Sequence, residues 1–164
     1  RIHNDKGARQ AIEIARRCKK KLILAGIIQD QAYFDQYVAP HIDNDWVIYA
    51  GSVGPVERDQ MLGEACALLH PIQFDEPFGL SVIESMACGT PVIAFDRGSM
   101  PELIENGQNG FLVSNVNEAV EAVARIKAID RAACRRHVER RFTVERMIDE
   151  YIDVYEMILK DRSV

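Results

Sequence analysis

The residues of this chain best suited to chemistry are two glutamates, Glu76 and Glu84, which stand eight positions apart on either side of a glycine turn. The residues between them lead from a loop into a helix at Gly79. A loop that enters a helix at a glycine presents free backbone N–H groups and the positive end of the helix dipole, which together suit an anion. Two carboxylates that frame such a turn favour a site for a sugar nucleotide.

Short apolar runs alternate with helical patterns on both sides of this motif. Strands are predicted near residues 21–26, 46–51, 67–71, 91–95 and 110–113, where an apolar run precedes glycine, proline or a polar turn. Helices are predicted at residues 6–18 and 31–38, from Pro55, after Gly79, and near 101–105, 117–127, 130–140 and 143–160.

Continuous apolar strands that alternate with helices are typical of a parallel sheet covered on both faces. The predicted fold is therefore α/β, a doubly wound, Rossmann-like parallel sheet with helices on both faces. Such sheets bind ligands beyond the carboxyl ends of their strands. The candidate motifs all follow predicted strands: Gly51-Ser52-Val53, Pro71 to Gly79, and Arg97-Gly98-Ser99.

Composition and charge exclude several classes of protein. The chain has 164 residues, enough for one domain with its own core, and a net charge of −5, which argues against nucleic-acid binding. One arginine-rich stretch is typical of a solvated helix, with contact to an anionic membrane as the alternative; it contains Arg135, Arg136, Arg140 and Arg141. Four cysteines without a C-x-x-C pair disfavour zinc and favour a cytoplasmic protein, peripheral at most to the inner face of the membrane.

The run from Glu76 to Ala94 resembles the donor-binding half of retaining glycosyltransferases of the GT-B fold, family 4. The resemblance begins at Arg1 to Gly7, which looks like that family's Arg-x-x-x-x-Lys-Gly segment, and continues through Gly51-Ser52-Val53 and Gly98 to Val113. It implies that residues 1–164 are the C-terminal, nucleotide-sugar-binding domain of a longer GT-B enzyme, without the N-terminal acceptor domain. The full-length enzyme would transfer the sugar to an acceptor with retention of anomeric configuration.

The resemblance implies a set of residues around the diphosphate of the donor. Arg1 and Lys6 would hold the diphosphate, one through a planar fork of donors and the other as a point charge. Backbone N–H groups of Phe78, Gly79 and Leu80 would contact the sugar and the phosphate.

Three further residues would contact the rest of the donor. Glu84 would accept hydrogen bonds from the ribose hydroxyls, and Val53 would lie against the nucleobase. Glu76 would hold sugar hydroxyls and face the anomeric centre, which makes it the candidate catalytic residue. Attack on the face from which the diphosphate departs is the mechanism assigned to this family, so Glu76 is expected to orient and stabilise rather than to attack.

No cofactor and no metal are expected beside the nucleotide diphosphate sugar. Cations and a helix N-terminus can stabilise the charge that develops on the departing diphosphate. The sequence has no Asp-x-Asp motif, and the adjacent carboxylates Asp75 and Glu76 lack a third ligand, which makes a poor divalent-ion site.

Two other functions stay open at this point. One is a non-catalytic nucleotide-sugar-binding or regulatory module, because a fold alone does not establish activity. The other is a GT-B sugar-nucleotide epimerase. The chain alone is expected to bind donor weakly and to transfer nothing, because the other half of a GT-B enzyme supplies the acceptor site and part of the catalytic apparatus.

Each singled-out residue also has a purely structural interpretation. Glu76 could cap the helix that follows it, Glu84 could be a solvated helix position, and Lys6 could be surface charge. His70, between a strand and Pro71, is expected to be packed and hydrogen-bonded rather than in contact with substrate. Trp46 is expected in the core.

Overall fold

The computed structural model describes residues 1–161, which form five strands and eight α-helices. The strands are β1 (Leu22–Ala25), β2 (Val47–Gly51), β3 (Leu68–His70), β4 (Val92–Phe95) and β5 (Gly110–Val113). The α-helices are α1 (Ala8–Arg17), α2 (Gln31–Tyr37), α3 (Pro55–Glu64), α4 (Leu80–Ala87), α5 (Met100–Leu103), α6 (Val116–Arg125), α7 (Arg131–Arg141) and α8 (Val144–Asp161). Short 3-10 turns occupy Asn4–Lys6, Ala39–His41 and Ile126–Ala128.

All strand pairs are parallel, as predicted, but the strands pair in two groups rather than in one sheet. β1 pairs with β2, and β3, β4 and β5 pair in that order. The segment at the start of the chain links the two groups, because Ile2 forms a parallel bridge with Ile28 and the backbone N–H of Gln73 donates to Asp5 at 2.7 Å. The first residues of the chain therefore lie between the carboxyl ends of β1 and β3.

The larger core surrounds β4, whose four residues are all buried. Val82 and Met86 of α4, Ala119 and Ala122 of α6, and Cys134 of α7 belong to the same cluster of buried residues. A smaller core lies under β1 and β2. Helices cover both faces of the parallel strands, which confirms the predicted α/β class.

One helix boundary differs from the prediction of a helix over residues 6–18. The backbone of Gly7 adopts a φ of 72°, and α1 begins only after it, at Ala8. A Cβ atom on Gly7 would lie 2.0 Å from the carbonyl oxygen of Pro71. The glycine thus breaks the helix so that the chain can approach the end of β3 closely.

The prediction that Trp46 lies in the core is wrong, because this side chain is 51% exposed. Trp46 precedes β2 and, together with Arg16, Lys19 and Lys20, lines an open surface depression of about 290 Å³. The apolar run that suggested burial belongs to the strand itself, where Val47 is 1% exposed.

α8 is exposed along its whole described length, from Val144 to Lys160. Its apolar side chains include Met147, Ile148, Tyr151 and Tyr155, each more than a third exposed. Among the described residues, no helix combines the length and the low charge needed to cross a bilayer.

Candidate functional site

The structure brings Lys6 and Glu76 together, although 70 positions separate them in sequence. The ammonium group of Lys6 donates to Glu76 Oε2 at 2.5 Å, and the two side chains are only 24% and 16% exposed. The same ammonium group lies 4.5 Å from the centre of the Phe74 ring, close enough for a cation–π contact. Lys6 is therefore held from two sides, by a carboxylate and by an aromatic face.

The loop that carries Glu76 is fixed by the turn after β4. Ser99 donates its backbone N–H to the carbonyl of Glu76 at 2.9 Å and its hydroxyl to the carbonyl of Phe78 at 2.7 Å. Gly98 makes this approach possible, because a Cβ atom there would lie 2.4 Å from the Glu76 carbonyl oxygen. The sequence placed Gly98 and Ser99 near the site but gave no sign that they hold the loop.

α4 begins at Leu80, and the backbone N–H groups of its first turn are open, which means that no side chain caps them. Gly79 precedes the helix with a φ of 96°. The positive φ itself favours glycine here, and a Cβ atom on Gly79 would lie 2.7 Å from Met100 Cε, so the Met100 side chain would have to shift. Within residues 1–161, the backbone N–H groups of Phe78, Gly79 and Leu80 donate to no other group of the protein. Such N–H groups, with the dipole of α4, suit an anionic oxygen.

Glu84 lies on the second turn of α4 and pairs with a residue that the sequence did not single out. Arg58, in the first turn of α3, donates Nη1 to Glu84 Oε1 at 2.7 Å. Arg58 also contacts Asp59 Oδ1, through Nε at 2.9 Å and through Nη2 at 2.8 Å. The two carboxylates hold the pKa of the Arg58 guanidinium above its ordinary value, the contact with Asp59 contributing most. Glu84 is 35% exposed.

His70 ends β3 and is buried beside the Lys6–Glu76 pair. Burial lowers the pKa of His70 to about 4, an effect that the Glu76 carboxylate opposes and the Lys6 ammonium reinforces. Its Nε2 atom makes no hydrogen bond to any described residue. His70 is packed, as predicted, but the expected hydrogen bond at Nε2 is missing, and the imidazole is neutral at neutral pH.

The structure does not bring every predicted residue to Glu76. Arg1 donates to Gln29 Oε1 at 2.7 Å and to Asp5 Oδ2 at 3.1 Å, on the side of the segment that faces β1. Val53 is half-buried in the loop between β2 and α3, five positions before Arg58. Among the described residues, no three His, Cys, Asp or Glu side chains lie together as metal ligands would.

Two open depressions on this surface lie away from Glu76 and Glu84. Their volumes are about 290 and 370 Å³, and the first lies beside Trp46 and the second between Asn4, Arg9 and α2. Neither is lined by Glu76 or Glu84. The chemistry of the site, and not the size of a cavity, therefore identifies it.

Comparison with known families gives a match over most of the chain. The model of the family described as Glycosyl transferases group 1 matches residues 1–140. That range includes Lys6, Arg58, Glu76, Glu84 and Ser99.

This chain matches only part of the length of its curated relatives. The probable sucrose-phosphate synthase of Thermosipho melanesiensis is 40% identical over 85 residues, which is 49% of this chain and 20% of that protein. The trehalose synthase of Pyrococcus horikoshii is 28% identical over 167 residues, 91% of this chain and 40% of that protein. This chain thus spans less than half of the length of either relative.

Solved structures reproduce the fold over nearly the whole chain. Anabaena Alr3699/HepE, solved in complex with UDP-glucose, superposes with a TM-score of 0.81 at 22% identity, over 96% of this chain and 47% of that chain. The sucrose-phosphate synthase of Thermosynechococcus elongatus gives a TM-score of 0.78 at 25% identity, over 97% and 44%. This likeness confirms the predicted fold of one half of a GT-B glycosyltransferase.

Proposed function

This chain belongs to the Glycosyl transferases group 1 family, and on that premise we propose that it is the nucleotide-sugar-binding domain of a retaining, family 4 glycosyltransferase. One observation carries the proposal: Lys6 pairs with Glu76, which lies in the loop that leads into the open first turn of α4. A cation, a carboxylate and free N–H groups at one place match the mixed chemistry of a sugar diphosphate, which has anionic oxygens beside neutral hydroxyls.

Lys6 and the N-terminus of α4 receive the diphosphate in this proposal, with Arg1 as a further cation. Lys6 already has an anionic partner in the fold, Glu76. A phosphate oxygen that takes over the Lys6 ammonium releases Glu76 Oε2 to accept hydrogen bonds from the sugar. Binding of the diphosphate and orientation of the sugar are then coupled through one lysine.

Cleavage of the bond between the sugar and the diphosphate moves negative charge onto the leaving oxygen. Lys6 and the N–H groups of Phe78, Gly79 and Leu80 stabilise that charge, and the loop backbone need not reorganise because Ser99 already fixes it. Glu76 stabilises the positive charge that develops at the anomeric carbon. The acceptor hydroxyl attacks the face from which the diphosphate departs, so the configuration is retained.

Glu84 and Val53 fix the nucleoside end of the donor. The Glu84 carboxylate accepts hydrogen bonds from the ribose hydroxyls, and Val53 packs against the base. No metal or cofactor takes part in this scheme beyond the donor itself.

In this proposal, a second domain of the full-length protein supplies the acceptor site and the opposite wall of the donor-binding cleft. The exposed apolar side chains of α8 support a protein partner, because exposed apolar patches of this kind mark interaction surfaces. We expect the 164-residue chain alone to bind nucleotide and to transfer no sugar.

Titration calorimetry tests the binding half of the proposal. The chain should bind at least one of the common nucleoside diphosphates or their sugars saturably, and Glu84→Ala should weaken that binding about tenfold or more. Glu121→Ala, which changes an exposed glutamate of α6, serves as the matched control and should bind as the wild type does. Absence of binding to every nucleoside diphosphate at millimolar concentration contradicts the proposal.

Product analysis tests the chemical half. A full-length protein that contains this domain should convert donor and acceptor to a glycoside whose anomeric configuration, read by NMR coupling constants, equals that of the donor. An inverted product contradicts the retaining mechanism. Epimerised donor in the absence of acceptor contradicts transfer as the activity.

A further inference from the structure

We propose that Arg58 is a positioning residue for the nucleotide site, which holds the Glu84 carboxylate in the orientation that reads the ribose hydroxyls of the donor. This inference rests on the proposed function and goes beyond it, since neither the motif around Glu76 nor the family match assigns a role to Arg58. The observation that carries it is the chain of contacts from Asp59 through Arg58 to Glu84, which connects α3 to α4.

The guanidinium group of Arg58 is fixed from two sides. Nε and Nη2 contact Asp59 Oδ1 at 2.9 and 2.8 Å, and Nη1 contacts Glu84 Oε1 at 2.7 Å. Because the group is planar, contacts at two edges set its orientation as well as its position. Glu84 therefore meets a rigid donor rather than a flexible one.

The contact leaves half of the Glu84 carboxylate available. Arg58 takes Oε1, and within the described residues no donor contacts Oε2. A glutamate on a helix surface loses considerable rotamer entropy when a ligand immobilises it. Arg58 has already restricted Glu84 before the ligand arrives, which lowers the cost of binding.

The place of Arg58 in α3 argues against a purely structural role. Arg58 lies in the first turn of the helix, since α3 begins at Pro55. The positive end of the helix dipole disfavours a cation there. The two carboxylates compensate this cost, and the exposed pair with Glu84 adds little to stability. The Arg58–Glu84 contact therefore contributes little to the stability of the fold, which favours a role at the site.

The position of Arg58 also relates it to the residues proposed for both the base and the ribose. The loop that contains Val53 leads directly into α3, and Arg58 links α3 to α4 through Glu84. The hydrogen bond from the Arg58 N–H to the Gly54 carbonyl, at 2.9 Å, fixes the junction between the loop and α3. α3 therefore joins the loop of Val53 to Glu84 of α4 through the Arg58 side chain.

The test compares nucleotides that differ only in the ribose hydroxyls. Affinities of the wild-type chain are measured by calorimetry for uridine, guanosine and adenosine diphosphates, and for the 2′,3′-dideoxy form of whichever binds. Arg58→Ala should weaken binding of the ribonucleotide about tenfold and leave the affinity for the dideoxy form within about twofold, so that discrimination falls. Arg58→Lys should retain part of the discrimination, because an ammonium makes one contact in place of the fork.

A double variant separates positioning from direct contact. If Arg58 acts through Glu84, Arg58→Ala adds almost nothing to Glu84→Ala; if Arg58 contacts the diphosphate itself, the two losses multiply. Arg146→Ala is the matched control, because it breaks an exposed Arg–Glu pair of the same 2.7 Å length on α8. The melting temperature of Arg58→Ala should fall by no more than about 2–4 °C.

The outcomes separate this inference from the function on which it rests. Loss of ribose discrimination in Arg58→Ala, absent from Arg146→Ala and not additive with Glu84→Ala, supports it. Binding by the wild type with unchanged discrimination in Arg58→Ala overturns the inference and leaves the proposed function standing. Absence of nucleotide binding by the wild type overturns both.

Discussion

The two glutamates of this site share a residue type and a local motif, yet they occupy different environments. Glu76 is 16% exposed, lies in a loop fixed by Gly98 and Ser99, and contacts Lys6. Glu84 is 35% exposed, lies on a regular helix, and contacts Arg58.

The comparison shows how one pair of carboxylates can serve two tasks. A carboxylate whose position is fixed by loop backbone and by partial burial can stabilise charge in a transition state, because its surroundings need not reorganise. A carboxylate that is about one-third exposed on a helix can bind neutral hydroxyls and release them again. The environment, and not the residue type, divides the work between the Glu76 end and the Glu84 end of the site.

The largest expected difference is kinetic. In a full-length enzyme that contains this domain, Glu76→Gln should lower kcat about 100- to 1,000-fold with little change in nucleotide affinity, because the neutral amide no longer stabilises the developing charge. Glu84→Gln should instead raise the donor KM and change kcat little. Steady-state kinetics on the two isosteric variants checks this, and equal effects on kcat would contradict the proposed division of roles between Glu76 and Glu84.

The next effect is a pH dependence confined to the Glu76 end. The pKa of His70 is about 4 in the folded protein and 6.5 in a solvated chain, so the unfolded state binds the proton more tightly. The contribution of His70 to stability is complete above pH 6.5, falls as the pH decreases towards 4, and changes no further below that. The loss amounts to about 3 kcal/mol.

Urea unfolding between pH 7.5 and 4 measures this effect. The free energy of unfolding of wild type minus that of His70→Asn should decrease over the stated window, and the second buried histidine, His137, is common to both proteins. A difference that stays constant across the window would show that His70 is not held neutral by burial.

A smaller effect concerns the backbone around Glu76. Gly98→Ala should destabilise the protein by about 2 kcal/mol or more, because a φ of 55° is strained for alanine and the added Cβ meets the Glu76 carbonyl. Gly107→Ala is the matched control, since its φ is 82° but no atom lies within 4 Å of the added Cβ. Gly107→Ala should be destabilised only by the backbone strain, by about 1 kcal/mol. Urea unfolding curves of both variants measure the difference.

The smallest effect compares the two ion pairs directly. Lys6→Met should cost about 1–2 kcal/mol of unfolding free energy, because it leaves a partly buried carboxylate without its partner. Arg58→Met should cost less than about 1 kcal/mol, since both members of that pair are about one-third exposed. Denaturant titrations at low and high salt test the ranking, and a larger cost for Arg58→Met would reverse the comparison.

Local sequence patterns predicted much of this molecule. The apolar runs at Leu22–Ala25 and Val92–Phe95 form the expected strands, and the glycine at position 79 begins the expected helix. They succeeded because strand and helix periodicity depend on neighbours a few positions apart. The predictions for Trp46 and for the start of α1 failed because each depended on what a distant segment does, namely which side of β2 is covered and how closely Pro71 approaches Gly7.

The roles predicted for Arg1, Lys6, Val53, Phe78, Gly79, Leu80, Glu76 and Glu84 stay predictions, to be tested as described. The sequence alone gave no means of finding Arg58, since 26 positions separate it from Glu84 and α3 has no motif of its own.

Residues close together along the chain specify the class of fold, the family, and the two glutamates around a glycine turn. The three-dimensional packing of distant segments sets which cation meets which carboxylate. Lys6 reaches Glu76 because the carboxyl ends of parallel strands from distant parts of the chain meet at one edge. Arg58 reaches Glu84 because α3 packs beside α4. Such pairings depend on long-range packing, which the order of residues does not display.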